Sequence, residues 1–309
     1  MAGGDVRPAD LDAMRAVAPE AEVRFFETQA ALEAEVAEAD VVAGAIGPAA
    51  LARATGLRWV HSWIAGVDGL LFPELIASPV VVTNVRGNGG VPLAEHAIWL
   101  MLTLNRRALR WIDNQRARRW ERFHDLGELQ GLTCGIVGLG MAGRDLALKC
   151  KAFHMEVLGV RRNPQPTPNV DEVFAPDQLA EVLPRCDFVV MAAPRTPETR
   201  GMLGEAEFRL MKPTAYYLCF SRGGIADDVA LLRALREGWI AGAGLDAHGQ
   251  EPLPPDSPFW DLPNVVITPH NAASGRAVRQ RGIDIFVENL RRFTAGRPLV
   301  NVVDKTLGY

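Results

Sequence analysis

Three short segments of the chain hold the residue types that handle an anionic carbonyl compound. Phe220-Ser221-Arg222-Gly223-Gly224 follows the apolar run 215–219. Gly244-Leu245-Asp246 leads into Gln250-Glu251-Pro252-Leu253-Pro254. Thr268-Pro269-His270-Asn271 closes the run 265–268. Each run reads as a strand, so an Arg, a Glu and a His fall just past strand C-termini, where doubly wound sheets bind ligands. A guanidinium offers a planar fork to a carboxylate and a carbonyl. An imidazole, with an ordinary pKa of about 6.5, exchanges a proton near neutrality. A carboxylate beside it favours the imidazolium and fixes the ring. Together they suit a 2-oxo acid.

A fourth segment, Gly138-Leu139-Gly140-Met141-Ala142-Gly143, is a GxGxxG that follows an apolar run and opens a helical pattern. In that context the first glycine makes a tight turn, the second lets backbone approach a diphosphate, and the third lets helix and strand pack closely. The diphosphate then sits on free N–H groups at the helix N-terminus. The fingerprint expects an acid about 20 residues on, for a free ribose 2′-hydroxyl. Here Arg161 stands 18 residues after Gly143, followed by Arg162. An acid would repel a 2′-phosphate and a guanidinium grips one, so NADP(H) is the preferred cofactor and NAD(H) the alternative.

The elements that must position these groups form two series. From 133 onward, strands are expected at 133–137, 155–160, 187–192, 215–219, 241–245 and 265–268, with helices between them, 227–237 being the clearest. That is the doubly wound nucleotide-binding pattern. Upstream, helices at 9–17 and 30–39 alternate with extended runs at 22–26, 40–45, 57–61 and 80–84, which also means a parallel sheet covered by helices. The chain opens on a loop and helix where a strand is expected; either this sheet is one strand short or an upstream segment is absent. A long apolar helix at 91–107 carries Pro92 in its first turn. The stretch 106–122 holds seven Arg and two Trp; in an acidic chain it reads as a solvated, partly oligomeric helix rather than a nucleic-acid patch. The fold class is α/β, two doubly wound parallel-sheet domains. A Rossmann NAD(P)-binding domain, 93–284, is inserted into a flavodoxin-like substrate domain of 1–92 and 285–309. Two crossings at one cleft make a hinge expected to close on substrate and exclude water.

With these motifs in order along nearly the whole length, the chain resembles the D-isomer-specific 2-hydroxyacid dehydrogenases. The matching residues also include Ala65-Gly66-Val67-Asp68, Ala94-Glu95-His96 and the stretch 194–201. The resemblance implies that Arg222 orients the substrate, His270 is the acid/base and Glu251 supports it. It places Asp246 on the nicotinamide side and has the amides of Ala65 and Gly66 hold the substrate carboxylate. Cofactor contacts are implied at Pro194, Thr199, Phe220, Ser221, Arg222, Asp246, His270 and Ala272, beside the glycine loop. Two departures stand out. Arg195 replaces a common Leu near the expected adenine end, where it adds charge for a 2′-phosphate. His248 and Gly249 replace an aromatic and an acid, a change expected to alter the pocket rim without touching Glu251. Formate-type oxidation ranks low, because that family has Gln where Glu251 stands.

Composition narrows the partners. The 309 residues carry 33 basic and 37 acidic side chains, net −4, against the basic excess of nucleic-acid binders. The four cysteines lie 16 or more residues apart, so no metal or CxxC spacing exists and no metal is expected. The N-terminal 16 residues hold three Asp and no apolar h-region, which argues against a signal peptide. The longest greasy stretch, 97–104, is eight residues, against about 20 for a membrane span. The reading is a cytoplasmic, homodimeric reductase of small 2-oxo acids, glyoxylate or hydroxypyruvate first. Its rivals are a dehydrogenase for a bulkier D-2-hydroxy acid and a dinucleotide-sensing, corepressor-like binding protein. His61 reads as a packed strand-end residue, His96 as structural or cleft-lining, and Trp63 as core or as a limit on the substrate's C3 substituent.

Overall fold

A computed structural model describes residues 7–67 and 69–308. Asp68 of the Ala65-Gly66-Val67-Asp68 motif therefore lies outside the described residues, as do 1–6 and Tyr309. The chain separates into two compact units, one running up to Asn88 and resuming at Gly275, the other Gly89–Ser274.

In the first unit, β1 (Val41–Ala43), β2 (Trp59–Ser62) and β3 (Val81–Asn84) form a parallel sheet in that order. Alternate side chains face opposite ways along a strand. Val42, Val60 and Val82 accordingly join Leu32, Ala50, Leu75 and Val303 on one face. Ala43 and Trp59 join Met14, Ile283, Phe286 and Leu290 on the other. The helices on that second face are Pro8–Val17 and Arg276–Thr294, tied by a bond from Arg279 to the buried Asp10. The Asp10 carboxyl is held below its usual range chiefly by that guanidinium. The tail returns to the sheet, with the Val303 N–H donating to the Val82 carbonyl at 2.8 Å. The extended run expected at 22–26 is a correction. It joins no strand, and Val23 and Phe25, whose alternation imitated one, are 36% and 46% exposed.

His61, on β2, is fully buried. Its Nδ1 lies 2.8 Å from the Thr83 Oγ1, which also accepts the Trp59 indole N–H at 2.8 Å. Its ring packs against Trp63 and Phe286. Burial pushes its pKa down to about 3, so the folded protein holds it neutral while the unfolded chain protonates it near 6.5. Its contribution is therefore intact above about pH 6.5 and is lost as pH falls toward 3. At about pH 4.5 the loss amounts to roughly 2–3 kcal/mol, at 1.36 kcal/mol per unit. Urea midpoints at about pH 7 and pH 4.5 check this: His61→Gln is expected to flatten the slope, and an unchanged slope assigns the acid sensitivity elsewhere.

The second unit is a seven-stranded parallel sheet. Its strands are β4 (Thr133–Val137), β5 (Glu156–Val160), β6 (Glu172–Phe174), β7 (Phe188–Met191), β8 (Tyr216–Cys219), β9 (Gly242–Leu245) and β10 (Val265–Ile267). They lie in the order β10-β9-β8-β7-β4-β5-β6. Both faces are covered, which is why the strands read as continuous apolar runs. Val137, Leu158, Val189 and Tyr217 pack on one side, and Ile136, Val157, Val190 and Leu218 on the other. The order reverses between β4 and β7, the topological switch point where such sheets bind dinucleotides. Six of these strands match expected runs within about a residue at either end; β6 is an addition.

Candidate active site

The glycine loop leaves β4 at the switch point and enters the helix Met141–Ala152. Gly138 has φ +106°, and a Cβ there would lie 2.5 Å from the Ala193 nitrogen at the end of β7. A Cβ on Gly143 would lie 2.0 Å from the Gly138 carbonyl. Those two glycines are required by protein packing alone. Gly140 differs, because a Cβ there would meet nothing within 4 Å. The backbone at Gly140 is thus open beside a helix N-terminus, the arrangement that admits a diphosphate. The residues present fit a dinucleotide. Leu139 is buried beneath the loop, while Met141 is half-exposed and Ala142 partly buried.

Past β5, Arg161 is partly buried and its N–H donates to the Phe174 carbonyl of β6 at 3.0 Å. Arg162 is exposed and reaches Glu198 at 3.8 Å. In the turn after β7, the Thr199 hydroxyl donates to the Pro194 carbonyl at 2.8 Å and accepts the Thr196 N–H at 2.8 Å. Its polar atoms hold the turn together. Arg195 is exposed, and its stem passes 4.0 Å from a Cβ built on Gly224, which sets it beside the Arg222 loop.

His270 and Glu251 meet. The His270 Nδ1 lies 2.7 Å from the Glu251 Oε2, with side chains 39% and 35% exposed. The pair is ordered yet open to a ligand. Burial raises the Glu251 carboxyl, but the His248 amide and the His270 ring outweigh it and hold the pKa below the usual value. His270 has φ +51°, a conformation costly for a residue with a Cβ and kept only where its surroundings enforce it. The enforcer is Asp246, fully buried at the end of β9. Its Oδ1 accepts the Thr268 hydroxyl at 2.6 Å and the Asn271 N–H at 3.1 Å. Its Oδ2 accepts the Ala272 N–H at 3.0 Å. The His96 Nε2 adds a contact to the Thr268 Oγ1 at 3.1 Å, and burial lowers the His96 pKa against the pull of Asp246.

Arg222 is partly buried in the loop after β8, its Nη1 donating to the Ser221 carbonyl at 2.8 Å. Phe220 is buried in the core. A Cβ on Gly223 would lie 1.9 Å from the His248 carbonyl oxygen, so the Arg222 loop presses against the loop that carries Glu251. The His248 backbone N–H donates to the Glu251 Oε1 at 2.8 Å, a bond that does not depend on which side chain stands at 248. In the first unit, Ala65 is exposed and Gly66 partly buried. The Ala65 carbonyl accepts from the buried Asn84 Nδ2 at 2.7 Å. Trp63 packs on His61 and Phe286 at centroid distances of 5.0 and 5.1 Å.

Residues 98–272 match the family model described as "D-isomer specific 2-hydroxyacid dehydrogenase, NAD binding domain". The chain belongs to the D-isomer specific 2-hydroxyacid dehydrogenase family. Among its relatives, the glyoxylate reductase of Korarchaeum cryptofilum is 37% identical over 81% of this chain and 76% of its own length. A family member from Xanthobacter autotrophicus, solved in complex with NADPH and MES, superposes with a TM-score of 0.88 at 30% identity, over 100% of this chain and 98% of that one. The NADPH-dependent glyoxylate/hydroxypyruvate reductase from Sinorhizobium meliloti, solved with NADP and sulfate, gives 0.84 at 30% identity, over 99% and 98%. Membership makes this chain a D-2-hydroxyacid dehydrogenase with a nicotinamide-dinucleotide-binding domain. Among the described residues, no helix is long and apolar enough to cross a membrane.

Proposed function

We propose that this dehydrogenase works as an NADP(H)-preferring reductase of small 2-oxo acids, glyoxylate and hydroxypyruvate first, giving the corresponding 2-hydroxy acids, of D configuration where C2 becomes a stereocentre. The observation that carries the reading is the 2.7 Å contact between the His270 Nδ1 and the Glu251 Oε2, on a loop held in a costly conformation. Relatives that are glyoxylate reductases, and NADP-bound structural neighbours, support it. The glycine loop 138–143, with Arg161 and Arg162, would hold the dinucleotide. When bound, the reduced nicotinamide supplies the electron pair, as hydride to C2 of the acid.

The protein's own groups do the rest. With its Nδ1–H directed to Glu251, the His270 ring has its Nε2 left to face the substrate. The imidazolium proton passes from Nε2 to the carbonyl oxygen, and water reprotonates the ring. Glu251 stabilises the imidazolium beforehand and holds its plane. Arg222 pairs with the carboxylate and polarises the carbonyl. The unit Gly89–Ser274 is proposed as the dinucleotide-binding domain and the other as the substrate domain, against the expected 93–284 and 1–92 with 285–309. The exposed Trp99, Trp111, Ile112 and Trp120, the last 94% exposed, support a homodimer that covers them. Four buried free thiols support a reducing, cytosolic setting.

Arg222→Ala tests the substrate assignment. It removes charge-assisted bonds worth roughly 1.5–3 kcal/mol, so KM for the 2-oxo acid is expected to rise about 10- to 100-fold, with a smaller loss of kcat. Unchanged KM places the carboxylate elsewhere.

A further inference from the structure

His248 carries no role in the reaction as written, yet it adjoins Glu251, the His270 loop and the Arg222 loop. Its backbone N–H donates to the Glu251 Oε1 at 2.8 Å, the oxygen that His270 does not use. Its ring Nε2 lies 3.3 Å from the Thr268 carbonyl, two residues before His270; a carbonyl only accepts, so Nε2 bears the proton. Its own carbonyl is the atom that a Cβ on Gly223 would strike at 1.9 Å. On its other side, a Cβ on Gly249 would lie 2.2 Å from the Asp228 Oδ2, so Asp228 closes over the turn that follows.

We infer that His248 is the positioning residue of the acid/base pair: its amide and its ring together set where Glu251 stands relative to His270. The two halves of the pair sit on different loops, 247–251 after β9 and 268–272 after β10. Asp246 fixes the second loop through Thr268, Asn271 and Ala272, but none of those bonds reaches Glu251. The His248 ring supplies a link across the loops from the Glu251 side, and its amide extends that link to the carboxylate. A Phe at this position would keep the amide and the bulk and lose the ring's bond to Thr268. The inference rests on the proposed roles of His270 and Glu251.

The test is steady-state reduction of glyoxylate by the full-length enzyme with NADPH, beside NADPH affinity measured by fluorescence. His248→Phe is expected to lower kcat on the order of 10-fold, as misplacement of a reacting group does. KM and NADPH affinity should stay within about twofold. His248→Gln, which returns an N–H close to the position of Nε2, should recover activity to within about threefold of wild type. A general packing defect would show no such recovery. In a Glu251→Gln background, His248→Phe should cost no more than about twofold, because residues acting through one another are not additive. A His248→Phe kcat within about twofold of wild type overturns the inference, as does its full effect persisting beside Glu251→Gln. Should the Phe variant not bind NADPH, His248→Gln decides: a loss of about 10-fold or more there also overturns it. Near-normal turnover by His270→Ala would instead mark failure of the underlying reading.

Discussion

Replacement of His270 by Ala is expected to lower kcat for 2-oxo acid reduction by at least about 10²-fold, the low end for losing a general acid. The reason is local. The ring is bonded to Glu251, and it stands at a strand end built to present it. Dinucleotide affinity should survive, because the glycine loop 138–143 packs through Gly138, Gly143 and the end of β7, none of which involves His270. The measurement is kcat beside dinucleotide affinity on one preparation. Near-normal turnover would end the proton-donor assignment, and joint loss of turnover and binding would point to collapse of the loop.

The second large effect concerns the dinucleotide. Wild type is expected to favour NADPH over NADH by at least about 10-fold in kcat/KM, since one contact of about 1.4 kcal/mol already shifts preference tenfold. Arg161 is the residue to change. It follows β5 directly, and its backbone is fixed by the bond to Phe174, whereas Arg162 is engaged by Glu198. Arg161→Asp replaces attraction for a 2′-phosphate with repulsion and is expected to reverse the preference. The wild-type ratio should also weaken as salt rises, because an exposed contact is screened over about 8–10 Å at ordinary ionic strength. Equal use of both dinucleotides, or an unaltered ratio in the variant, would reduce these arginines to a solvated strand end.

The parts of this molecule that the sequence reveals are those set by local chemistry and long apolar runs. Buried parallel strands such as Thr133–Val137 and Phe188–Met191 announce themselves because both faces are covered. Glu172–Phe174 does not: it is a three-residue edge strand in a stretch broken by Pro, Asn and Asp, and only its pairing with β5 defines it. The run at 22–26 fails the other way, since its alternation has no partner strand. At the site, Arg222, Glu251 and His270 are legible as reactive types past strand ends. Their supports are not. Nothing in the sequence says that Asp246 is fully buried under the His270 loop, or that Asn84, some 19 residues downstream, holds Ala65. Such bonds join segments remote in sequence, and a residue type alone does not tell a buried anchor from a surface polar group. His248 is the sharpest case, because its backbone does the work on Glu251.

The most direct test is to supply NADPH, and separately NADH, with glyoxylate and with hydroxypyruvate, and to follow reduced nicotinamide by its absorbance. The account predicts oxidation of NADPH in step with formation of the 2-hydroxy acid, the D isomer in the case of hydroxypyruvate, slower with NADH. Dinucleotide binding without turnover of either acid would contradict it.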